Sequence, residues 1–283
     1  MSNYSFHILY GIQERYVYMK KVIIITGILL FFLFGGCSDN GTDSNTEETI
    51  EYTKLDEGYS AGVKVVLYAE QEPFVGYNKF YVALYDSVSN RQLTDFNVSF
   101  APLMDMGTMV HACPYEDPVY NSQNKLYAGA CTFIMAGMWT FNVQFDKSLE
   151  SSALYSYSFE FNVQAASMVK NIDAKDGSKY FITLMQPEKW QVGMNDIEFC
   201  INTRQTMMNF PAVETLNIEM DPWMDMGGGT GHGSPNNENP SHQQNGHYSG
   251  KINFTMSGGW DINLAVSNAD SVIMESTFNV TVD

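Results

Sequence analysis

One segment of this chain is written twice. Residues 104–143 open with Met104-Asp105-Met106-Gly107, and residues 224–266 open with Met224-Asp225-Met226-Gly227. Each copy continues with a His five or six residues later, a polar loop, a Tyr-x-Gly and a Phe-x-Met-x-Gly-x-Trp. The offset of about 120 residues is the size of one small domain, so the chain must fold into two units of the same plan. The likeness runs past this segment. Val-Gly-x-Asn occurs at Val75–Asn78 and Val192–Asn195, and both halves close on Phe-Asn-Val, at 161–163 and 278–280. Between these marks, apolar and polar residues alternate in short runs rich in aromatic and β-branched side chains, the pattern of half-buried strands. Expected strands lie at 61–70, 79–86, 94–101, 126–135, 138–145 and 154–164, and again at 178–185, 195–202, 213–220, 247–256, 260–266 and 272–282. Six or seven short strands per unit imply an all-β chain of two tandem immunoglobulin-like β-sandwich domains, spanning 59–166 and 177–283. The turn signal Asp176-Gly177 puts the linker between them near 165–177.

The N-terminus has a different character. Lys20 and Lys21 precede an apolar run from Val22 to Phe34, followed by Gly35-Gly36-Cys37. This is the order of a secretion signal, and the run is short for a membrane span. Its small-small-Cys ending resembles a bacterial lipobox, which implies cleavage before Cys37, acylation of Cys37 and a lipid anchor in a membrane of the cell envelope. Met19 then starts the signal, and residues 1–36 comprise an upstream segment plus the signal peptide. Residues 37–58 are polar and acidic and read as a flexible linker. Without residues 1–36 the chain carries 12 basic and 31 acidic residues, a net charge of −19. That balance disfavours nucleic acid, which needs a basic face, and a polybasic grip on lipid.

Three cysteines remain besides Cys37, an odd number in an oxidising compartment. Cys113 and Cys131 form the expected disulfide. The alternative is that Cys131, in the place of Ile252 of the second copy, is a small core residue.

Apart from His7, every histidine lies in the repeated segment. Thioether sulfur and imidazole nitrogen grouped on one loop suit a soft ion such as Cu(I). The expected ligands are His232 with Met224, Met226, His242 and His247, and in the first copy His111, Met104 and Met106. His232, His242 and His247 are also suited to Cu(II) or Zn(II). Alternatively, Met104 and Met106, two residues apart on a strand, both pack inward as core. Met135 and Met256 share a strand face with Phe133 and Phe254 and are expected in the core, with Trp139 and Trp260. The loop 227–246, rich in Gly, Pro, Asn and Gln, is expected to be a mobile surface loop. Its glycine-rich start lacks the Lys and the helix of a phosphate loop. No nucleophile-elbow or metalloprotease motif is present.

Met224-Asp225-Met226-Gly227, His232-Gly233-Ser234-Pro235, Gly246-His247-Tyr248-Ser249-Gly250 and Phe254-Thr255-Met256-Ser257-Gly258-Gly259-Trp260 together resemble the YtkA-like and FixH-like domain family. In the first copy His111-Ala112-Cys113-Pro114 replaces His-Gly-Ser-Pro, a divergent version. The resemblance implies an exported β-sandwich associated with copper handling or cytochrome oxidase assembly. The expectation is therefore a lipid-anchored envelope protein, not an enzyme, that binds or delivers copper. The competing expectation is a metal-free scaffold presenting its loops to an envelope protein partner.

Overall fold

The computed structural model describes residues 52–147, 153–187, 189–269 and 271–283. Cys37, the signal segment 1–36 and most of the expected linker lie outside the described residues. The rest is all-β, as the alternation implies, and forms two sandwiches of one topology within a single compact unit.

In the first sandwich one sheet runs β1 (Thr53–Ser60), β2 (Val63–Ala69), β3 (Gly76–Asp86), β8 (Leu126–Phe133), β7 (Tyr115–Asn121), with β4 (Gln92–Leu93) beside β3. The facing sheet runs β10 (Tyr155–Val163), β9 (Gly137–Lys147), β5 (Phe96–Asp105), β6 (Val110–His111). The second sandwich repeats this order. One sheet is β11 (Val169–Asp173), β12 (Lys179–Gln186), β13 (Gly193–Thr203), β17 (His247–Phe254), β16 (Glu238–His242). Its partner is β15 (Thr230–Gly233), β14 (Asn217–Gly227), β18 (Gly258–Ser267), β19 (Val272–Val282). Every second residue of β14, from Ile218 through Met220 and Pro222 to Met224, is buried, so period-two patterning sets which face meets the opposite sheet. Phe80, Phe100, Phe133, Trp139 and Phe141 fill the first core, and Phe199, Tyr248, Phe254, Trp260 and Ile262 the second.

Several repeated residues have structural duties. The Asn of Val-Gly-x-Asn locks the turn before its strand. Asn78 Nδ2 donates to Phe74 O at 2.8 Å and Gly76 O at 2.7 Å, and Asn195 Nδ2 donates to Gln191 O at 2.8 Å and Gly193 O at 2.9 Å. The hydroxyl of the Tyr-x-Gly tyrosine accepts the first amide leading into the opposite sheet, Phe96 N to Tyr127 at 3.1 Å and Leu216 N to Tyr248 at 3.2 Å. These bonds fix the sheets against each other.

Three expectations are corrected. Thr53–Gly58, assigned by sequence to the flexible linker, belongs to β1, because Leu55 packs on the core while its charged neighbours face out along the sheet edge. Val169–Asp173, assigned to the interdomain linker, is β11, again an edge strand. The loop 227–246 is not merely a surface excursion. It contains β15 and β16, and Pro240 is buried.

The sandwiches meet end to end. The turn of the first that carries Ala112 abuts the connection between β13 and β14 of the second. Met207 O accepts from Ala112 N at 2.8 Å, and Ala112 packs with Phe181 and Phe210 in a separate apolar cluster. Glu116 of the first sandwich bonds His247 of the second.

Candidate metal centre

At the far end of the second sandwich, β14 and β15 form a hairpin that places Met224 directly across from His232. The turn between β17 and β18 lies alongside. Gly258 has φ of +129°, a conformation that disfavours a side chain, and the Met224 methyl sits 3.2 Å from where a Cβ would stand. Trp260 is buried beneath this tip and donates Nε1–H to Met256 O at 3.0 Å. That bond carries Met256 out of the strand alternation, so its side chain is 41% exposed rather than in the core as expected.

His232 stands with its ring edge-on to Trp260, centroids 5.3 Å apart. Its Nδ1 is 3.0 Å from Gly233 O. A carbonyl only accepts, so Nδ1 carries the proton and Nε2 presents a lone pair. That lone pair faces Met256 Sδ at 3.4 Å. Neither atom is a good donor to the other, so the arrangement pairs two Lewis bases on one point. Met226 is exposed at the hairpin's end, beyond the edge of the core. The tip thus sets one imidazole nitrogen against the thioether sulfur of Met256, with Met224 across the hairpin from the histidine.

The first sandwich builds the same tip. Met104 lies across from His111, and Trp139 Nε1–H is donated to Met135 O at 3.0 Å. Gly137 has φ of +127° with the Met104 methyl 3.2 Å from its would-be Cβ. His111 Nδ1 is 2.8 Å from Ala112 O, and its ring is edge-on to Trp139 at 5.4 Å. Met104 and Met224 are both buried, while Met106, Met135 and Met226 are exposed. The idea that Met104 and Met106 both pack inward is therefore half right: the strand leaves the core between them. Met135, like Met256, is exposed and not core. The difference lies in the imidazole. His111 is only 3% exposed, and its Nε2 is buried with no hydrogen-bond partner.

Two expected ligands are elsewhere. β17 separates His247 from the tip by its whole length, about 23 Å at the rise of a strand. His247 is bonded at both nitrogens, Nδ1 to Glu198 at 2.7 Å and Nε2 to Glu116 at 2.8 Å, and these carboxylates raise its pKa to about 9. Its ring is an ion-pair clamp between the sandwiches. His242 pairs with Tyr248 across β16 and β17, at the same remote end. The set of His232, His242 and His247 for Cu(II) or Zn(II) is thus taken apart by the sheet. Among the described residues no three His, Cys, Asp or Glu gather to hold an ion.

Cys113 and Cys131, expected as a disulfide, are neighbouring thiols, their sulfurs 3.4 Å apart and both buried. Burial pushes the Cys113 thiol well up, and Cys200 up to about 12, so both are protonated at neutral pH. All three line a cleft of about 550 Å³ between the sandwiches.

Sequence reasoning missed Met256 as a tip residue. The signal was present: Met-x-Gly at the end of a strand places the Met in the turn, where alternation no longer assigns a face.

Residues 175–265, within the second sandwich, match the model of the YtkA-like family. No curated protein matches the chain. Among solved structures it is similar to the Escherichia coli adhesin FdeC, at 12% identity and a TM-score of 0.27 over 80% of this chain and 66% of that one. The Yersinia pseudotuberculosis adhesin InvE gives 10% and 0.24 over 75% and 56%. A conserved domain protein of Bacillus anthracis gives 12% and 0.33 over 89% and 98%. The chain spans less than two thirds of either adhesin structure. The fold rests on the strand pairing itself, and no partner or activity follows from these likenesses.

Proposed function

We propose that the second sandwich, a YtkA-like domain, binds Cu(I) at its open tip, in a lipid-anchored protein of the cell envelope that carries or delivers the ion rather than catalysing a reaction. His232 Nε2 and Met256 Sδ are the principal donors, with Met224 and Met226 as further thioethers. The observation that carries this reading is the fixed tautomer of His232, with its free lone pair set 3.4 Å from a thioether sulfur. Thioether sulfur carries no proton, so those donors bind without a deprotonation step. A soft ion accepts such donors, whereas the hard cations require oxygen cages. The bond from Nδ1 to Gly233 O is the outer-shell contact that orients a metal-bound imidazole. The exposure of Met226 and Met256 suits loading and release. The acidic surface attracts a cation without specifying one.

The test is anaerobic Cu(I) titration of the full chain against a chromophoric chelator. His232→Ala and Met256→Leu should each weaken the tip's affinity by about tenfold or more. Unchanged affinity in both variants removes the proposal. A metal-free scaffold role is the second reading, favoured by the exposed Trp223 beside the same hairpin. It predicts that Cu(I) leaves the melting temperature unchanged, whereas a folded-state ligand raises it.

A further inference from the structure

We infer that the first tip is a second soft-cation site, occluded by the second sandwich. The inference rests on the reading of the open tip, because it transfers that chemistry to a copy of the same geometry. Its own observation is the imidazole of His111. Nδ1 is committed to Ala112 O at 2.8 Å, so Nε2 carries a bare lone pair, and that atom is buried without a hydrogen-bond partner. An unsatisfied buried acceptor costs about 1–3 kcal/mol, and native folds seldom keep one without use. A Lewis-acidic ion is the partner that a lone pair lacking a donor can take.

The neighbours fit the same ion. Met104 stands across the hairpin from His111, and Met135 occupies the place of Met256, with its carbonyl held by Trp139 Nε1 as that of Met256 is by Trp260. Fractional exposure matches pair by pair: 6% for both Met104 and Met224, and 40% and 41% for Met135 and Met256. The two tips therefore share scaffold and the burial of their methionines, although His232 Nε2 meets a thioether sulfur and His111 Nε2 meets no partner. They differ in what lies over the histidine.

Over the first tip lies the connection between β13 and β14. Met207 O holds Ala112 N, while Phe181 and Phe210 bury Ala112 itself. Gly233, which stands where Ala112 does in the other copy, is exposed. An ion at His111 is shielded from exchange until this contact parts, which makes it a slow site beside a fast one. The pair then divides the work: the open tip exchanges its ion with outside carriers, and the occluded tip retains one.

The experiment uses the full chain, reduced and metal-free, titrated anaerobically with Cu(I) and then challenged with excess chromophoric chelator. Wild type should take up two equivalents, released in two phases. The variant H232A/M256L should keep one equivalent, released about tenfold or more slowly than the lost one. Adding Met135→Leu, an exposed change that leaves the fold intact, should speed that release or abolish the remaining uptake, and His111→Gln should abolish it. A wild type holding a single equivalent that vanishes in H232A/M256L overturns the second site and leaves the open-tip proposal standing. Two equivalents that persist in H232A/M256L overturn the open tip instead. A retained equivalent indifferent to both Met135→Leu and His111→Gln overturns the second site, whatever the open tip does.

Discussion

The two tips share one hairpin, one buried tryptophan, one glycine turn and one histidine with the same tautomer, yet one histidine is partly exposed and the other is 3% exposed. Local sequence cannot account for the difference, because it arises from end-to-end packing. The second sandwich covers the tip of the first, and nothing among the described residues covers its own. A duplicated tip has thus acquired two accessibilities while keeping its histidine and methionine positions. The divergence of Ala112-Cys113 from Gly233-Ser234 falls where the cover lies, so it follows from docking and leaves the histidine and methionine positions intact.

The largest effects should come from the shared scaffold. Trp139→Ala and Trp260→Ala should each destabilise the protein by about 3–5 kcal/mol in chemical denaturation, as loss of a fully buried indole does. A markedly smaller loss at one of them would break the equivalence of the tips. Phe210→Ala should cost about 3 kcal/mol and act on one tip alone. It should raise the reactivity of His111 toward an imidazole-modifying reagent, read by mass spectrometry, and leave that of His232 unchanged. Equal changes at both would mean that the cover is not what distinguishes them. Gly258→Ala should cost about 1–3 kcal/mol, because its φ of +129° strains any side chain and the Met224 methyl occupies the space.

The clamp that holds the cover in place gives a pH effect. Glu116 from the first sandwich and Glu198 beside it face His247, with Tyr77 edge-on to the ring. Its folded pKa is raised from 6.5 to about 9. Its contribution is full below pH 6.5 and is lost as pH rises through about 9. Wild type should lose stability relative to His247→Gln between pH 7 and pH 10, and parallel pH profiles would show the clamp to be idle. Met226→Leu should be the mildest change, within about 0.5 kcal/mol in stability, as expected for an exposed side chain.

The sandwich plan was legible because the alternation of residues such as Ile218, Met220, Pro222 and Met224 carries through to burial. Edge strands were not. β1 and β11 present one polar side to solvent, so their alternation is too weak to separate them from linkers. The placing of His232, Met224 and Met226 on one hairpin of the candidate site was legible from the repeat. Met256 was hidden by extending strand parity one turn too far. His242 and His247 were drawn in by proximity in sequence, but an eight-residue strand carries them to the opposite end. The burial of Ala112, next to His111, was not readable at all, since Phe181 and Phe210, which pack on it, lie in another sandwich.

The most direct measurement is X-ray absorption at the copper edge of the full chain carrying His111→Gln, which leaves the open tip as the one imidazole site, loaded anaerobically with one equivalent of Cu(I). Sulfur scatterers together with one imidazole, the imidazole signal lost in His232→Ala, is the result expected of the open tip. A first shell of nitrogen and oxygen alone, or a spectrum indifferent to His232→Ala and Met256→Leu, would contradict it.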